Sequence, residues 1–382
     1  MWQVKTFINT TPIVLDMADK KIDPGEIYII GQYQVGTSTP TGHYKIGMTQ
    51  LGRTSFKRLK EHQTGNPNRL FLHYWTHCEA SYLVEKLMHS KWSPNRIGQE
   101  WFSLNSTELL QAITDITQFE TQFGTQIIQL RSRYYATPTP GVHPSLTSAE
   151  TVVVQGWRNL AFPIVEEMAR LKYVYKTREF QILLGNGVNA VVDSVTRLNI
   201  SPPSTEFKDS KLPAALKLSF MTKTRKNLDD FRFIYTANPG HLDKLDLTLS
   251  YWKTRWPIEF AAYETAKTGW DTMKSTINSA TVNRTSQART SNIETLHQEY
   301  SDAKIEYDNK EAERDALEIQ VRILCMDYEG VANVCEWKRK SQSNSFDKGR
   351  FKVLNEADYL NSIYQGSSPG SVKPVLVAWK AY

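Results

Sequence analysis

Six side chains with chemistry to offer lie between Pro24 and Leu104: Tyr28, Lys45, Arg58, His62, Glu85 and His89. Arg58 and His62 stand four residues apart, as do Glu85 and His89, so on a helix each pair shares one face. A phosphodiester-cleaving centre needs a general base, a cation against the phosphorane charge and a carboxylate for a hard metal ion. All of those residue types are present. Solvated helix faces carry the same types, so composition alone favours the plainer reading. Glu85 is harder to treat as plain, because it sits between Val84 and Leu87 on a leucine-rich segment and an unpaired buried carboxylate is costly.

The elements that must position these residues can be read from local pattern. EIYIIGQYQ is β-branched and aromatic, and predicts a strand carrying Tyr28. GTSTPTG, residues 36–42, is turn chemistry, and HYKIGMT predicts the partner strand carrying Lys45. TSFKRLKEHQ, residues 54–63, predicts a short amphipathic helix with Phe56 and Leu59 on one side and Lys57, Arg58 and Lys60 around them. Gly65, Asn66 and Pro67 stop it. RLFLHYWTH predicts a third strand, EASYLVEKLMHSKW a helix carrying Glu85, and EWFSL a short closing strand. Neighbouring strand residues face opposite ways, so only one of Tyr44 and Lys45 can share a face with Tyr28. If Lys45 is the one, its ammonium would lower the Tyr28 phenol pKa. Asn105 with Glu108 forms a capping box that opens a helix over about 107–123.

The order Gly25-Glu26-Ile27-Tyr28, Tyr44-Lys45-Ile46-Gly47-Met48-Thr49, Arg58-x-x-x-His62, Glu85-x-x-x-His89 and Glu100-Trp101-Phe102 resembles the GIY-YIG nuclease superfamily. The resemblance is to its phage and viral DNA-binding branch, and it spans about residues 24–104. It implies that Tyr28 is a general base or its helper, that Arg58 contacts the scissile phosphate, that His62 matches a histidine found in many members, and that Glu85 is the single metal-binding glutamate, holding Mg²⁺ or Mn²⁺. Where the superfamily has its second-motif tyrosine, directly before Ile46-Gly47, this chain has Lys45; the resemblance therefore implies that Lys45 rather than Tyr44 shares the face of Tyr28, and leaves Tyr28 or Lys45 to activate water. The late asparagine of some members has no counterpart, its neighbourhood being held by Glu100 and Trp101.

Beyond residue 135 the chain is less legible. ATPTPGVHPS predicts a linker over 136–146. Residues 147–280 mix helical and strand patterns, and Lys223, Arg225 and Lys226 form a basic cluster able to track DNA phosphates. Residues 291–328 carry Ile293, Leu296, Tyr300, Ala303, Tyr307, Leu317, Val321, Leu324 and Tyr328 in one heptad frame, with Lys310 and Arg314 interrupting the seam. They predict a long helix, ended by Gly330, that packs on a partner within the chain or on a second copy in a homo-oligomer. VANVCEWKRK and KPVLVAWKAY predict two strands in a terminal hairpin module over 281–382. Glu336-Trp337-Lys338, Phe346-Asp347, Phe351-Lys352 and the tyrosines Tyr359 and Tyr364 are similar to the C-terminal tail of YqaJ-type viral recombinases, which implies an accessory part only, since the catalytic core of those enzymes is not recognisable upstream.

The 382 residues carry 46 basic and 40 acidic side chains, a balance of +6 that permits nucleic-acid binding without demanding it. Three widely spaced cysteines suggest neither a disulfide scaffold nor a zinc site and fit a reducing, cytoplasmic setting, that of the host cell for a phage-encoded chain. No apolar run is long enough to span a bilayer and no secretory signal is recognisable, so no membrane partner is expected. The expected fold class is α+β: a small GIY-YIG-like mixed sheet flanked by helices over 1–135, then a larger helix-rich region with a long helix and terminal strands. The leading function is a metal-dependent DNA endonuclease of phage or mobile-element character. A DNA-binding protein of the same fold without turnover is the alternative, and an assembly protein built on the long helix the third.

Overall fold

A computed structural model describes residues 20–376 apart from residues 65, 99, 136–145, 186–189, 193–194, 201–204, 208–209, 211, 225–228, 238–239, 244–248, 278–284, 326–329, 333, 340–342, 362 and 366–371. The fold is α+β. Strands β1 (Gly25–Tyr33), β2 (Pro40–Gln50), β3 (Leu70–Cys78) and β4 (Trp101–Ser103) form one sheet in the order β3-β1-β2-β4. Every pairing in it is antiparallel, so the expected mixed sheet is corrected to an antiparallel one. β2 and β3 run the same way, but β1 lies between them, so no two neighbouring strands are parallel.

Central β1 is buried on both faces, which explains its nearly continuous apolar run. Ile27, Ile29, Tyr44 and Ile46 pack on one side with Val84 and Met88 of α2 (Ser81–Lys91) and with Leu109, Ala112 and Ile116 of α3 (Ser106–Tyr135). Tyr28, Ile30 and Leu70 occupy the other side, with Leu59 of α1 (Ser55–Gln63) and Trp101 against them. Thr54 caps α1 through Lys57 N at 3.3 Å, and the Glu26 carboxylate accepts from Ser55 N at 2.7 Å and from its hydroxyl at 2.6 Å. A strand carboxylate thus pins the positive end of α1 to β1. Gln63 closes the same helix by accepting from Leu70 N and donating to the Asn66 and Asn68 carbonyls, which fixes the turn into β3.

The Asn105–Glu108 capping box is present, with reciprocal bonds of 2.8 and 3.0 Å. Helix α3 runs on to Tyr135, past the predicted end near residue 123, because Gly124 alone weakens a helix by only about 1 kcal/mol and no proline follows within it. The predicted linker falls on residues 136–145, outside the described residues. Where a mixed pattern is read from sequence there is one long helix, α4 (Ser148–Gly185), opened by a second capping box between Thr147 and Glu150. Pro163 and the valines at its start blur the helical signal, but Ala161, Val165, Met168, Leu171 and Tyr175 recur at helical spacing and are buried.

The long helix spans Ser291–Leu324 and packs chiefly on α4, with α2 and α3 also against it. Tyr175 meets Tyr300 and Tyr307 edge-on, at 6.1 and 5.5 Å between ring centroids. The heptad seam therefore has an in-chain partner. Cys325 caps the helix, so it ends before Gly330, which instead takes a positive φ of 115° and opens a short strand. Tyr328 lies outside the described residues. Among the described residues the two predicted terminal strands pair elsewhere rather than with each other: Cys335–Arg339 pairs with Asp229–Ala237 and Val372–Leu376 pairs with Thr196–Ile200. Strands from both sides of residue 280 share sheets, because each needs a backbone edge and those edges are supplied by the preceding region. Among the described residues no helix is long and apolar enough to cross a membrane.

Candidate phosphodiester site on the α1 face of the sheet

Tyr28 and Gly47 are register partners on β1 and β2, and the Tyr28 ring lies flat across the glycine. A Cβ at residue 47 would meet the Tyr28 hydroxyl at 2.5 Å and the ring at 2.6 Å, so Gly47 provides room for the ring rather than merely ending a strand. The phenol is 1% exposed and points at α1. Arg58 Nε donates to its oxygen at 3.4 Å, and the oxygen lies 3.3 Å from His62 Nε2. The helix spacing of four thus brings both α1 residues onto one hydroxyl. Burial raises the Tyr28 pKa above the ordinary value, with Arg58 opposing. Burial, then Lys45 and Arg58, pull His62 down to about 4. At neutral pH the phenol keeps its proton and the imidazole has none to spare on one nitrogen. The order that uses the phenol proton is Arg58 donating to Tyr28 and Tyr28 donating to His62 Nε2, with the His62 proton assigned to Nδ1.

Lys45 faces the same side as Tyr28, opposite Ile30 and Trp101 in register, while Tyr44 packs on the α2 and α3 side. Lys45 is only 5% exposed and is in salt-bridge contact with Glu100, whose side chain is 43% exposed. Burial lowers its pKa to about 8, Glu85 acting against that and Arg58 with it. The Glu100 carboxylate favours the ammonium too, so Lys45 is charged at neutral pH while Glu100 is in place. The expectation that Lys45 lowers the Tyr28 pKa is corrected: burial of the phenol outweighs the cations near it, and the value moves up.

Glu85 and His89 project from α2 onto the edge of β2 that short β4 leaves unpaired. Glu85 Oε1 accepts from Met48 N at 3.0 Å, and His89 Nε2 donates to the Ile46 carbonyl at 2.9 Å. Two side chains four apart thus satisfy two backbone groups two apart on a strand, which gives the E-x-x-x-H spacing a positional reason. His89 is 8% exposed, so it is neither solvated nor on the phosphate face, and burial holds its pKa down at about 3. Burial raises the Glu85 pKa, with Lys86 and Lys45 opposing. Glu85 lies within electrostatic reach of Lys45, Arg58 and Tyr28.

Arg58 is about a quarter exposed (25%), and its Nη1 donates to Glu61 at 2.9 Å; Glu61 also contacts Arg53. Lys57 and Lys60 are exposed on α1. Lys223 lies on the strand Met221–Thr224, in a different sheet, and Arg225 and Lys226 lie outside the described residues. Sequence reasoning misses Glu26 and Glu100. Glu26 reads as a plain strand residue, and its capping of α1 is a contact across 29 residues. Glu100 stands in the E-W-F motif beside Trp101, the register partner of Lys45, which is the one local sign of its role.

Among the described residues no group of three or more His, Cys, Asp and Glu side chains is arranged to hold a metal ion. Glu85 offers one carboxylate, with one oxygen engaged by Met48 N. Such a donor set suits a Mg²⁺-like ion, which keeps several waters and takes one or two carboxylates together with substrate phosphate. It does not suit a caged resident metal.

The model of one family, the T5orf172 domain, matches residues 25–117, the segment that holds the sheet, α1, α2 and the start of α3. That domain occurs in phage-associated proteins and in proteins related to GIY-YIG-like nucleases. The match supports a phage-related, nuclease-like segment, compatible with a DNA-binding or nuclease-like function. It does not extend to residues 291–382. Neither a curated protein nor a solved structure matches the chain.

Proposed function

We propose that residues 25–117 form a metal-dependent DNA endonuclease module. The observation that carries this reading is the convergence of Arg58, His62 and Tyr28 on one hydroxyl, with Lys45 and Glu85 within electrostatic reach. Arg58 is exposed enough to grip a phosphate with its planar fork, exchanging its Glu61 partner for the scissile group. Tyr28 accepts the proton of the attacking water as it passes its own to His62 Nε2. A bound phosphate raises the His62 pKa and so eases that transfer. Lys45, charged while Glu100 is in place, balances the charge that grows on the phosphorane; with the Glu100 contact open, its lowered pKa lets the neutral form replace Tyr28 as the base. Glu85 would hold Mg²⁺ or Mn²⁺, which when bound supplies Lewis-acid stabilisation of the same oxygens. The exposed Lys57 and Lys60 extend the positive surface along α1 toward flanking phosphates.

A DNA-binding module without turnover is the second reading. The burial of Tyr28 and the Lys45–Glu100 contact favour it, because both would have to open for water and substrate to arrive together. A plasmid-cleavage assay with Mg²⁺ and Mn²⁺, run beside DNA binding in EDTA, separates the two. Cleavage supports the endonuclease, binding alone supports the second reading, and the absence of both cleavage and binding sinks the two together. A role as an assembly protein built on the 291–324 helix is the third, and an oligomer at micromolar concentration that dissociates when that helix is altered would support it.

A further inference from the structure

Beside the Arg58 site two large aromatic side chains stand half-exposed among the described residues. Phe56 of α1 is 54% exposed and Trp75 of β3 is 48% exposed. They touch edge to face, with ring centroids 6.0 Å apart and planes 68° apart. Trp75 is the register partner of Tyr28, so its ring stands on the same sheet face as the phenol that binds Arg58 and His62. Phe56 precedes Arg58 by two residues on the same helix. Lys57 and Lys60 are exposed on the same helix, Lys60 one turn from Phe56, and exposed Arg53 precedes the helix. Leaving half of each ring in water forgoes burial worth about 1–2 kcal/mol per side chain, so the pair is poorly explained as a fragment of core.

An apolar ring face among cations is suited to one kind of ligand. Nucleobases stack on aromatic rings whatever their sequence, while the cations hold the backbone. A base inside a duplex already has both faces covered by its neighbours, and only an unpaired or extruded base can offer one. We infer that Phe56 and Trp75 form a stacking platform for an unpaired nucleotide next to the phosphate held by Arg58, so that the favoured substrate is DNA with a single-stranded or distorted segment. This rests on the reading of residues 25–117 as a DNA-handling module and goes on to name the class of DNA. The platform selects by unpairing rather than by sequence, since no base-edge donor or acceptor is needed for a stack.

The test uses the full chain in EDTA at fixed ionic strength, with two labelled DNAs of one length: a perfect duplex and the same duplex with a short unpaired bubble. Fluorescence anisotropy gives both affinities. The bubble is expected to bind at least about fivefold tighter, the value of one base stack. Trp75→Ala and Phe56→Ala should each shrink that ratio toward one, and Trp75→Phe, which keeps a ring, should restore most of it. Circular dichroism melts check that the variants fold, which the half-exposed positions favour. Equal affinity of the unaltered protein for the two DNAs, or an unchanged ratio in Trp75→Ala, overturns the platform while leaving DNA handling in place. Binding to neither DNA overturns the DNA reading and the platform together.

Discussion

Two clusters of charged side chains, one in the sheet module and one on the long helix, respond to burial in opposite ways. On the long helix, Arg314, Asp315, Glu318 and Arg322 are buried, and Lys21 from the start of the module reaches Glu318 at 2.7 Å and Asp315 at 3.1 Å. Burial alone would discharge these groups, but their partners win: Glu318 and Asp315 raise Lys21, Asp315 and Glu318 raise Arg314, and Arg322, Lys21 and Arg314 lower Glu318. Around Tyr28 burial wins instead. Lys45 and His62 are lowered, Tyr28 and Glu85 are raised, and each moves toward its neutral form. Arg58, bonded to Tyr28 and Glu61, is the exception. A cluster whose charges are mutually compensated holds the fold together. A cluster that is under-compensated stands ready for a ligand that brings charge with it.

The largest expected effect lies in the compensated cluster. Glu318→Ala leaves Asp315 to balance three cations, the partly buried Lys21 and the buried Arg314 and Arg322, which should lower stability by about 3–5 kcal/mol in urea unfolding. A loss under about 1 kcal/mol would mean that the two clusters do not differ in kind.

Next in size is Arg58→Lys. An ammonium keeps the charge but cannot reproduce the fork, so cleavage should fall by about 2–4 kcal/mol of transition-state stabilisation. Stability should move by under about 1 kcal/mol, because Arg58 is partly exposed. Activity within a factor of two of the unaltered protein would remove Arg58 from the phosphate.

A smaller effect follows from pH. The folded His89 pKa of about 3 lies below the ordinary value of 6.5, so between those values the unfolded chain binds more protons. Stability from this residue is therefore full above about pH 6.5 and drains away as pH falls toward 3, at up to ~1.4 kcal/mol per pH unit. His62 contributes with the same sign down to about 4, weakened by its exposure. His89→Gln keeps a donor for the Ile46 carbonyl but does not titrate, and should flatten the acid limb measured by urea unfolding at pH 7 and 4.5. An acid limb as steep as before would place the titration elsewhere.

The contrast between the clusters also marks what the sequence could reveal. The sheet module was legible because its signals are local: the Ile-rich centre of β1, the turn at 36–42, the helical spacing of Arg58 with His62 and of Glu85 with His89, and the Asn105–Glu108 box. The second region was not, because its order depends on distant partners. Pro163 and three successive valines hide α4 locally, and packing against the long helix overrides them. Lys310 and Arg314 read as interruptions of a heptad seam, yet Arg314 is buried there through its bonds to Asp315. Within the site, Glu100 against Lys45 and Glu26 at the head of α1 are likewise long-range contacts that no spacing announces. The upward shift of Tyr28 was also out of reach, because it follows from burial rather than from residue type.

Glu85→Gln tests the central claim most directly. The glutamine oxygen can still accept from Met48 N, so the β2 edge stays satisfied while the carboxylate charge is lost. The measurement is plasmid cleavage with Mg²⁺ or Mn²⁺ by the unaltered and the Glu85→Gln chains, with DNA affinity in EDTA followed in parallel. The account predicts metal-dependent cleavage by the first, its loss by a factor of about 100 or more in the second, and DNA affinity within about twofold in both. Cleavage by the variant equal to that of the unaltered chain would contradict it.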